Sequence, residues 1–438
     1  MSRAPWSRIL RRTVDGRLRL TRAGSGYLGV WLILLLAGLQ QQNNLILLTA
    51  GMAAGPLVAS LMMSLFMLRR LRVERRLPDH VFEGKTLSID YLAENRRLLT
   101  AALAVEIQDE LNPSDRSIPH AARLRPRAVF ERVGPRDRVR IRWEAPSPVR
   151  GRYELGRLEI ITRAPFGLIE RRLTVDAPAS LIVYPRIGSL TRRWNQLWRE
   201  STQSRRGHRH DRTAQQQEYH GLRDYRSGDS PRWLHWRTSA RVGRLMVKEF
   251  EQENDQEIAI LLDAWLPRSR PSPEQREAVE LAIRFAASVC LNVSRSIGRR
   301  LVLGWTGPTP GVRQGPAGPR LTHELLQTLA VHRAQSEGHL SSLFDALPPA
   351  VLRDALIVVV TTRPVNLAEE AARVTRLTET AARSLASRLV ILEVHRGDLD
   401  PYITFDASPP FDDEAAPVVD HPATTPEPVA ATIEPVGS

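Results

Sequence analysis

Two long apolar stretches near the N-terminus dominate the hydrophobic pattern of the chain. They cover residues 23–39 and 45–68, contain no charged residue, and are separated by Gln and Asn residues at 40–44. A helix needs roughly 20 apolar residues to cross the hydrocarbon core of a bilayer, which is about 30 Å thick. The short polar connector allows only a tight reversal. The pattern therefore predicts an antiparallel transmembrane hairpin over residues 23–68.

Arginines flank this hairpin on both outer sides. Residues 3–22 contain seven arginines and one acid, residues 69–76 contain five arginines and one acid, and the connector is uncharged. Basic residues concentrate on the cytoplasmic side of membrane segments. We therefore expect a two-pass protein of the inner membrane, with the basic segment 1–22 and the C-terminus both in the cytoplasm. A cleaved signal peptide is the alternative, but the second stretch and its basic flank fit a stop-transfer segment better.

Residues 73–185 alternate apolar and polar positions in short segments, which is typical of β-strands. Turn-forming residues, among them 151–153 and 165–167, separate these segments. We predict an antiparallel β-sandwich that acts as a scaffold or interaction module. The predicted strands are 86–91, 103–108, 138–143, 157–162 and 181–184.

From residue 257 onward, apolar strands alternate with amphipathic helices. Strands are predicted at 257–263, 301–305, 356–360 and 389–394, and helices at 274–297, 323–331 and 367–385. This alternation predicts a parallel, doubly wound α/β sheet over residues 257–400, with ligands bound at the carboxyl ends of its strands. The expected fold class is α+β multidomain, and a disordered, acidic, proline-rich tail is expected at 401–438.

Composition and charge narrow the choice of function only slightly. The 438 residues carry a formal net charge of +14, but many arginines lie near the predicted membrane segments, where anionic lipids attract them. Segment 186–256 interleaves arginines with Trp194 and Trp198, which share one face of a predicted helix. This pattern would suit a nucleic-acid strand, a membrane surface or a solvated loop. The single cysteine, Cys290, excludes an internal disulfide and is expected to be buried and inert.

One segment, 218–241, combines Arg, Asp and Trp at many fixed spacings. It contains Leu222-Arg223-Asp224-Tyr225, Gly228-Asp229, Arg232, Trp236 and Ser239-Ala240-Arg241, followed by a predicted strand at 245–250. This pattern resembles the signature of the family called domain of unknown function 58. The resemblance implies a membrane-anchored cytoplasmic protein with a von Willebrand factor A-like domain. It further implies a MoxR-type AAA+ ATPase and a transglutaminase-like membrane protein as partners, and neither a cofactor nor an enzymatic activity.

Three roles are open for this signature segment. Charge-assisted Arg–Asp pairs and the buried rings of Trp233 and Trp236 would lock the fold. Alternatively, the segment is a partner-binding surface. A hydrolase using Asp229, His235 and Ser239 is the third possibility, although closeness in sequence does not establish triad geometry. The structural or partner-binding role is expected for Arg223, Tyr225, Gly228, Asp229, Arg232, Trp236, Ser239 and Arg241.

The resemblance also predicts a degenerate metal site in the α/β domain. Folds of this kind place an Asp-x-Ser-x-Ser motif after the first strand, with Thr and Asp on later loops. In this chain Trp265 and Pro267 follow Asp263 in place of the two serines, and Thr361 precedes Thr362-Arg363. Hard cations need several oxygen ligands, so we expect no metal. Asp263 is expected to cap its loop or to pair with Arg363.

These observations together predict a non-enzymatic scaffold or adaptor anchored in the inner membrane. It would contact membrane lipid and protein partners, and no nucleic acid. The alternatives are a membrane-tethered nucleic-acid binder and a hydrolase built on residues 218–241.

Overall fold

The computed structural model divides the chain into two compact units. The first includes Met1–Val183 and the second is Tyr184–Ser408. The residues described are 13–115, 123–198, 219–225, 234–250, 256–295, 299–307, 309–337, 339–366, 370 and 389–405.

The predicted apolar hairpin is present in the first unit. Its helices are α1 (Arg22–Gln40) and α2 (Asn44–Met67). Both are long and apolar enough to cross a membrane. The Tyr27 hydroxyl donates to the Ala53 carbonyl at 2.9 Å, and Trp31 Nε1 donates to the Ala50 carbonyl at 2.9 Å. These bonds hold the two helices side by side.

The other described residues of this unit include two antiparallel sheets with a shared apolar core. Their strands are β1 (Thr13–Leu20), β2 (Leu71–Arg76), β3 (His80–Phe82), β4 (Thr86–Asn95), β5 (Ala102–Gln108), β6 (Leu111–Pro113), β7 (Arg127–Val133), β8 (Arg138–Pro146), β9 (Gly151–Thr162) and β10 (Ile169–Tyr184). The larger sheet has the order β1-β10-β9-β5-β7, with β3 beside β10 and β6 beside β9, and the smaller has the order β2-β4-β8. All five predicted strands are confirmed.

One of the strands that the sequence analysis missed, β1, precedes the hairpin. It pairs antiparallel with β10, so that Leu20 lies opposite Ile169. The chain segments before and after the hairpin therefore belong to one sheet, which places both on the same side of any bilayer that the hairpin crosses. The alternation of Arg and Leu at residues 17–20 is the signal for this strand.

Residues 151–153, predicted to be a turn, instead begin β9. Gly151, Tyr153 and Leu155 are buried, whereas Arg152 and Glu154 are exposed. Every second residue from Gly151 to Leu155 is buried, which is the pattern of a β-strand and not of a turn. The strand therefore begins six residues before the segment predicted at 157–162.

A buried ion pair joins the two sheets. Arg75 of β2 donates through Nη1 to both carboxylate oxygens of Asp109, at 2.9 and 2.7 Å, and also donates to the Ala177 carbonyl of β10. The side chains of Arg75 and Asp109 are 4% and 0% exposed. The Tyr91 hydroxyl of β4 donates to Asp109 at 3.0 Å. Burial and the Asp109 carboxylate hold the pKa of Tyr91 well above its usual range, so the phenol remains a donor.

The second unit is built around one five-stranded sheet with the order β16-β15-β14-β17-β18. Its elements are β11 (Ser189–Leu190), α3 (192–198), β12 (Tyr219–Asp224), α4 (Trp236–Val242), β13 (Met246–Phe250), β14 (Gln256–Asp263), α5 (Pro273–Ser294), β15 (Arg299–Trp305), β16 (Gly311–Pro316), α6 (Pro319–Val331), α7 (Leu340–Ala346), α8 (Pro349–Asp354), β17 (Leu356–Thr361), β18 (Leu389–Glu393) and β19 (Ile403–Thr404). The four predicted strands and the helices α5 and α6 are confirmed. The helix predicted at 367–385 lies outside the described residues except for Glu370, as does most of the predicted tail.

This central sheet is mixed, whereas the sequence predicts a wholly parallel one. Strands β14, β15, β17 and β18 run parallel, but the edge strand β16 runs antiparallel to β15. The connection between β15 and β16 covers only residues 306–310, which is too short for a parallel crossover. Such a short link permits only a hairpin.

Helices cover both faces of the central sheet. Ala259 and Leu261 of β14 share a core with Leu343 of α7. The alternate residues of the strand face the other way, and α5 contacts β14, β15 and β17. Cys290 of α5 is fully buried, and burial raises its thiol pKa to about 12. The prediction of a buried cysteine is confirmed, and this pKa keeps the thiol protonated at neutral pH.

The two tryptophans of α3 lie inside the second unit. Trp194 and Trp198 are 2% and 9% exposed. Trp194 packs edge-on against Phe285 and Tyr402, with ring centroids 5.4 and 6.4 Å apart. The Arg299 guanidinium lies 4.7 Å from the centre of the Trp198 ring. These rings anchor α3 in the core and are not available to stack on nucleic-acid bases.

Asp109→Ala should destabilise the protein, because it leaves the Arg75 guanidinium buried without its carboxylate. Removing one partner of a buried ion pair typically costs about 3–5 kcal/mol. The measurement is the melting temperature of the full chain in detergent micelles. Asp176→Ala is the matched control, since it removes the partner of Arg157 in a pair whose side chains are 73% and 49% exposed. Equal losses in the two variants would contradict the structural role of the buried pair.

Candidate functional site

Polar side chains end three neighbouring strands of the central sheet. Asp263 ends β14, Thr361 ends β17 in register with it, and Thr306 directly follows β15. These three residues are 1%, 0% and 2% exposed. Ligands of parallel α/β sheets bind at this carboxyl edge, which makes the cluster the first candidate for a functional site.

The Asp263 carboxylate is fully engaged by its own chain. Arg363 donates through Nε to Oδ2 at 2.9 Å and through Nη2 to Oδ1 at 3.3 Å. The hydroxyl of Thr361 donates to Oδ2 and that of Thr306 to Oδ1, both at 3.1 Å. The predicted pairing of Asp263 with Arg363 is confirmed, and its two-point geometry is that of a strong charge-assisted bond.

These contacts do not suit a divalent cation at the position predicted to be a degenerate metal site. Mg²⁺ and Ca²⁺ require several oxygen ligands. Both oxygens of Asp263 already accept hydrogen bonds, and the guanidinium of Arg363 places a positive charge beside them. Among the described residues, no group of three or more His, Cys, Asp or Glu side chains could hold a metal ion.

The loops that follow these strands are tied to one another. Trp265, which stands where the metal motif would have a serine, donates its backbone amide to Thr362 Oγ1 at 2.8 Å. Thr362 Oγ1 donates in return to the Trp265 carbonyl at 2.7 Å. The indole Nε1 of Trp265 donates to the Ser336 carbonyl at 3.1 Å. The tryptophan therefore fastens the loop after β14 to two other loops at the same edge.

Two residues at this edge were not predicted from the sequence. Thr306 completes the bonds to Asp263. Glu393 ends β18 in register with Thr361, and its Oε1 accepts the Val365 amide at 3.2 Å. Each residue stands at or directly after the end of a predicted strand, as Asp263 does. The signal in the sequence is thus a polar residue at or directly after the end of a strand, and it would have identified both Thr306 and Glu393.

In its described part, the signature segment contains β12 and α4, and β13 follows it. Strands β12 and β13 pair antiparallel, and α4 lies between them in sequence. Ser239 is buried. Its hydroxyl donates to the His235 carbonyl at 3.1 Å and accepts the Met246 amide at 2.8 Å. This serine thereby joins α4 to the start of β13.

The described contacts use His235 and Ser239 to hold the backbone. His235 Nδ1 accepts the Thr238 amide at 3.2 Å and so caps the N-terminus of α4. Because the Ser239 hydroxyl is bonded to backbone groups, these two side chains form no nucleophile–base pair. Three predicted site residues, Gly228, Asp229 and Arg232, lie outside the described residues, and for Arg223 only the backbone, in β12, is described.

The other predicted residues of this segment are exposed. Trp236, expected to be buried, is 65% exposed, and Tyr225 is 39% exposed. Arg241 is exposed in the last turn of α4. Trp236 is the first residue of this seven-residue helix. A helical side chain leans over the turn that precedes its own Cα atom, and at this position α4 has no preceding turn on which the indole could pack.

Arg363→Met should lower the melting temperature of the full chain, because Asp263 would remain buried without its cation. We expect a loss of about 3 kcal/mol, at the lower end for a broken buried pair, since the Arg363 side chain is 21% exposed. Arg268→Met is the control, because Arg268 pairs with Glu337 and both side chains are at least 70% exposed. Equal melting temperatures for Arg363→Met and the wild type would refute this role.

The same melting assay tests the metal prediction. Millimolar Mg²⁺ or Mn²⁺ should leave the wild-type melting temperature unchanged, whereas a ligand at 100 times its Kd would add roughly 2.7 kcal/mol. A saturable rise that disappears in Asp263→Ala would show that this edge binds metal after all.

Solved structures resemble parts of this chain weakly. The CARDB domain of a Pyrococcus furiosus protein is 12% identical, covers 26% of this chain and 87% of that domain, and has a TM-score of 0.18. A superoxide reductase (neelaredoxin) from Ignicoccus hospitalis is 10% identical, covers 25% of this chain and 79% of that enzyme, and also has a TM-score of 0.18. Likenesses this low carry no argument about the present chain.

A curated relative has a higher sequence identity than these structures. The uncharacterized protein YeaD of Bacillus subtilis (strain 168) is 23% identical over 238 residues, which are 54% of this chain and 56% of that protein. The chain thus spans about half the length of this curated relative. A family model described as protein of unknown function DUF58 matches residues 221–393, from the signature segment to the end of β18. The match of residues 221–393 to the DUF58 model agrees with the resemblance that the signature motif indicates.

Proposed function

We propose that this protein is a non-catalytic scaffold or adaptor that is anchored in the inner membrane and presents its second unit to protein partners. The observation that carries the proposal is the exposure of Trp236, which is 65% exposed within the family segment. Tryptophan is among the residues most enriched at the energetic centres of protein interfaces. The buried polar residue beside it, Ser239, holds the backbone, and Trp236 is the aromatic side chain that α4 exposes to a partner.

The central sheet supports the proposal of a von Willebrand factor A-like domain. Four parallel strands with helices on both faces are the architecture that such a domain requires. The pair of Asp263 with Arg363 makes this proposed domain metal-independent, because an internal guanidinium takes the place of a bound cation. Partner recognition would then rest on shape and on side chains such as Trp236.

A MoxR-type AAA+ ATPase and a transglutaminase-like membrane protein are the partners that the family resemblance implies. An adaptor for such proteins needs a fixed anchor and an exposed contact surface. The apolar hairpin and the exposed aromatic residues at 225 and 236 would supply these two properties.

The two alternative functions gain no specific support. The nucleic-acid alternative was based on Trp194 and Trp198 beside the arginines of segment 186–256, and both of these rings are buried. A hydrolase would need His235 beside the Ser239 hydroxyl, but both side chains bond to the backbone.

Trp236→Ala should leave the melting temperature unchanged and remove a co-purifying protein. An exposed side chain away from caps and cores usually contributes within about 0.5 kcal/mol to stability, whereas an interface tryptophan often contributes more than 2 kcal/mol to binding. The measurement is affinity purification of the tagged full chain from solubilised membranes, followed by mass spectrometry of the bound proteins.

Val331→Ala is the matched control for this experiment, because Val331 is 51% exposed at the end of α6, outside the signature segment. It should retain every bound protein. If Trp236→Ala retains them too, the exposed indole is not the contact. If Trp236→Ala instead melts at a much lower temperature than the wild type, the segment acts as a structural lock.

Cysteine labelling tests the proposed orientation. Gln41→Cys, in the connector of the hairpin, should react with an impermeant maleimide in intact cells, whereas Thr86→Cys, in the exposed start of β4, should react only after permeabilisation. Both positions are exposed. The native Cys290 is buried, so the wild-type protein serves as the unlabelled control. Labelling of Thr86→Cys in intact cells would reverse the proposed topology.

A further inference from the structure

Two loops of the first unit expose large apolar side chains. Residues 96–101 join β4 to β5 and carry Leu98 and Leu99, which are 58% and 91% exposed. Residues 163–168 join β9 to β10 and carry Phe166, which is 57% exposed. Clusters of exposed apolar residues on a folded surface mark sites that contact a protein or a membrane. The positions of these loops indicate whether they contact a protein or a membrane.

The loop at 163–168 is fastened to the start of α1. The Thr21 amide donates to the Leu168 carbonyl at 3.0 Å, and the Thr21 hydroxyl donates to the Gly167 carbonyl at 2.6 Å. Gly24, in the first turn of α1, packs so closely on the Leu168 carbonyl that a Cβ atom there would collide with it. Phe166 is thereby held at the level where the apolar part of α1 begins.

The loop at 96–101 is fastened to the end of α2. The Arg96 amide donates to the Arg70 carbonyl at 3.1 Å, and Arg97 Nη1 donates to the Phe66 carbonyl at 3.4 Å. Leu98 and Leu99 follow directly. They therefore lie at the level where α2 leaves its apolar stretch.

Both loops lie at the same end of the larger sheet. Strands β5 and β9 are antiparallel neighbours, with Val105 opposite Thr162. The Thr162 hydroxyl donates to the Leu103 carbonyl at 3.1 Å, so the end of β9 and the start of β5 adjoin. Three exposed apolar side chains thus lie at the end of the sheet from which both helices of the hairpin leave.

We propose that these two loops form a second membrane contact, in which Leu98, Leu99 and Phe166 enter the interfacial layer of the leaflet adjoining the first unit. The proposal rests on membrane insertion of the hairpin, which is part of the proposed function. Apolar side chains flanked by basic residues are the composition that binds at the bilayer interface. Arg69 and Arg70 are exposed beside the loops, and they face the anionic headgroups. The partner is therefore a phospholipid surface with anionic headgroups.

This contact would fix the tilt of the sheets relative to the membrane. A domain joined to its anchor through a single flexible linker could rotate freely above the bilayer. Here one loop contacts the start of α1 and the other the end of α2, which lie side by side at the base of the hairpin, so their insertion would prevent that rotation.

The test places a fluorescent reporter in the loops of the full-length protein. Leu99→Cys and Phe166→Cys are labelled with bimane and reconstituted into vesicles of phosphatidylcholine and phosphatidylglycerol that contain a lipid with a nitroxide near the top of its acyl chain. We expect loss of fluorescence and a blue shift of emission for both. Native Cys290 is buried and its thiol remains protonated, so it does not compete for the label.

Two further positions make the outcome decisive. Thr86→Cys is the negative control, because Thr86 is exposed at the opposite end of β4 from Asn95, about 30 Å away at ~3.4 Å per residue. Leu36→Cys in α1 reports on the hairpin, since Leu36 is 51% exposed in the isolated chain. Quenching at residue 36 without quenching at 99 and 166 would overturn the second contact and leave the anchor intact. Absence of quenching at residue 36 would overturn both, and equal quenching at residue 86 would overturn the specific role of the loops.

Discussion

The buried carboxylate of Asp263 is the constraint on which the arrangement of the central sheet depends. A charge in the interior is tolerated only when it is paired and its lone pairs are hydrogen-bonded. Asp263, at the end of β14, obtains its partners from the ends of two other strands: Thr361 and Arg363 from β17, and Thr306 from β15. Folding must therefore bring the carboxyl ends of β14, β15 and β17 together before the charge is satisfied. The same contacts remove the oxygens that a metal would use, so a structural requirement also limits what this edge of the sheet can bind.

The first unit obeys the same constraint with different residues. Arg75 and Asp109 belong to opposite sheets, and Tyr91 and Ala177 complete their hydrogen bonds. Replacing a buried ion pair by well-packed apolar residues is often neutral or stabilising, so these pairs are weak evidence for high stability. These pairs instead fix the alignment of the strands, since a shift in strand register would leave a buried charge without its partner. In each unit, a buried aspartate is thus paired with an arginine that is remote in sequence.

The sequence predicts the regular part of this architecture and misses features that depend on tertiary context. Strands that bury one face show a period of two, and all five predicted in the first unit exist. The three-residue strands β3 and β6 are too short to show a period, and no residue of β16 is buried. The pairing of Asp263 with Arg363 was predictable because both follow adjacent strands of a parallel sheet. The exposure of Trp236 was not predictable, because large apolar residues are usually but not always buried. In the short helix α4, a serine is buried and the tryptophan is exposed.

The relation between the hairpin and the sheets follows from the pairing of β1 with β10. The strand before the hairpin and a strand after it lie in one sheet, from Thr13 opposite Val175 to Leu20 opposite Ile169. At the other end of the hairpin, Met67 and Leu68 are buried in the shared core of the two sheets. A fragment that starts after residue 68 would lose both contributions and expose the edge of β10, where unpaired backbone groups invite association with other chains. The apolar hairpin is therefore part of the fold of the first unit, because the sheets hold it at both of its chain ends.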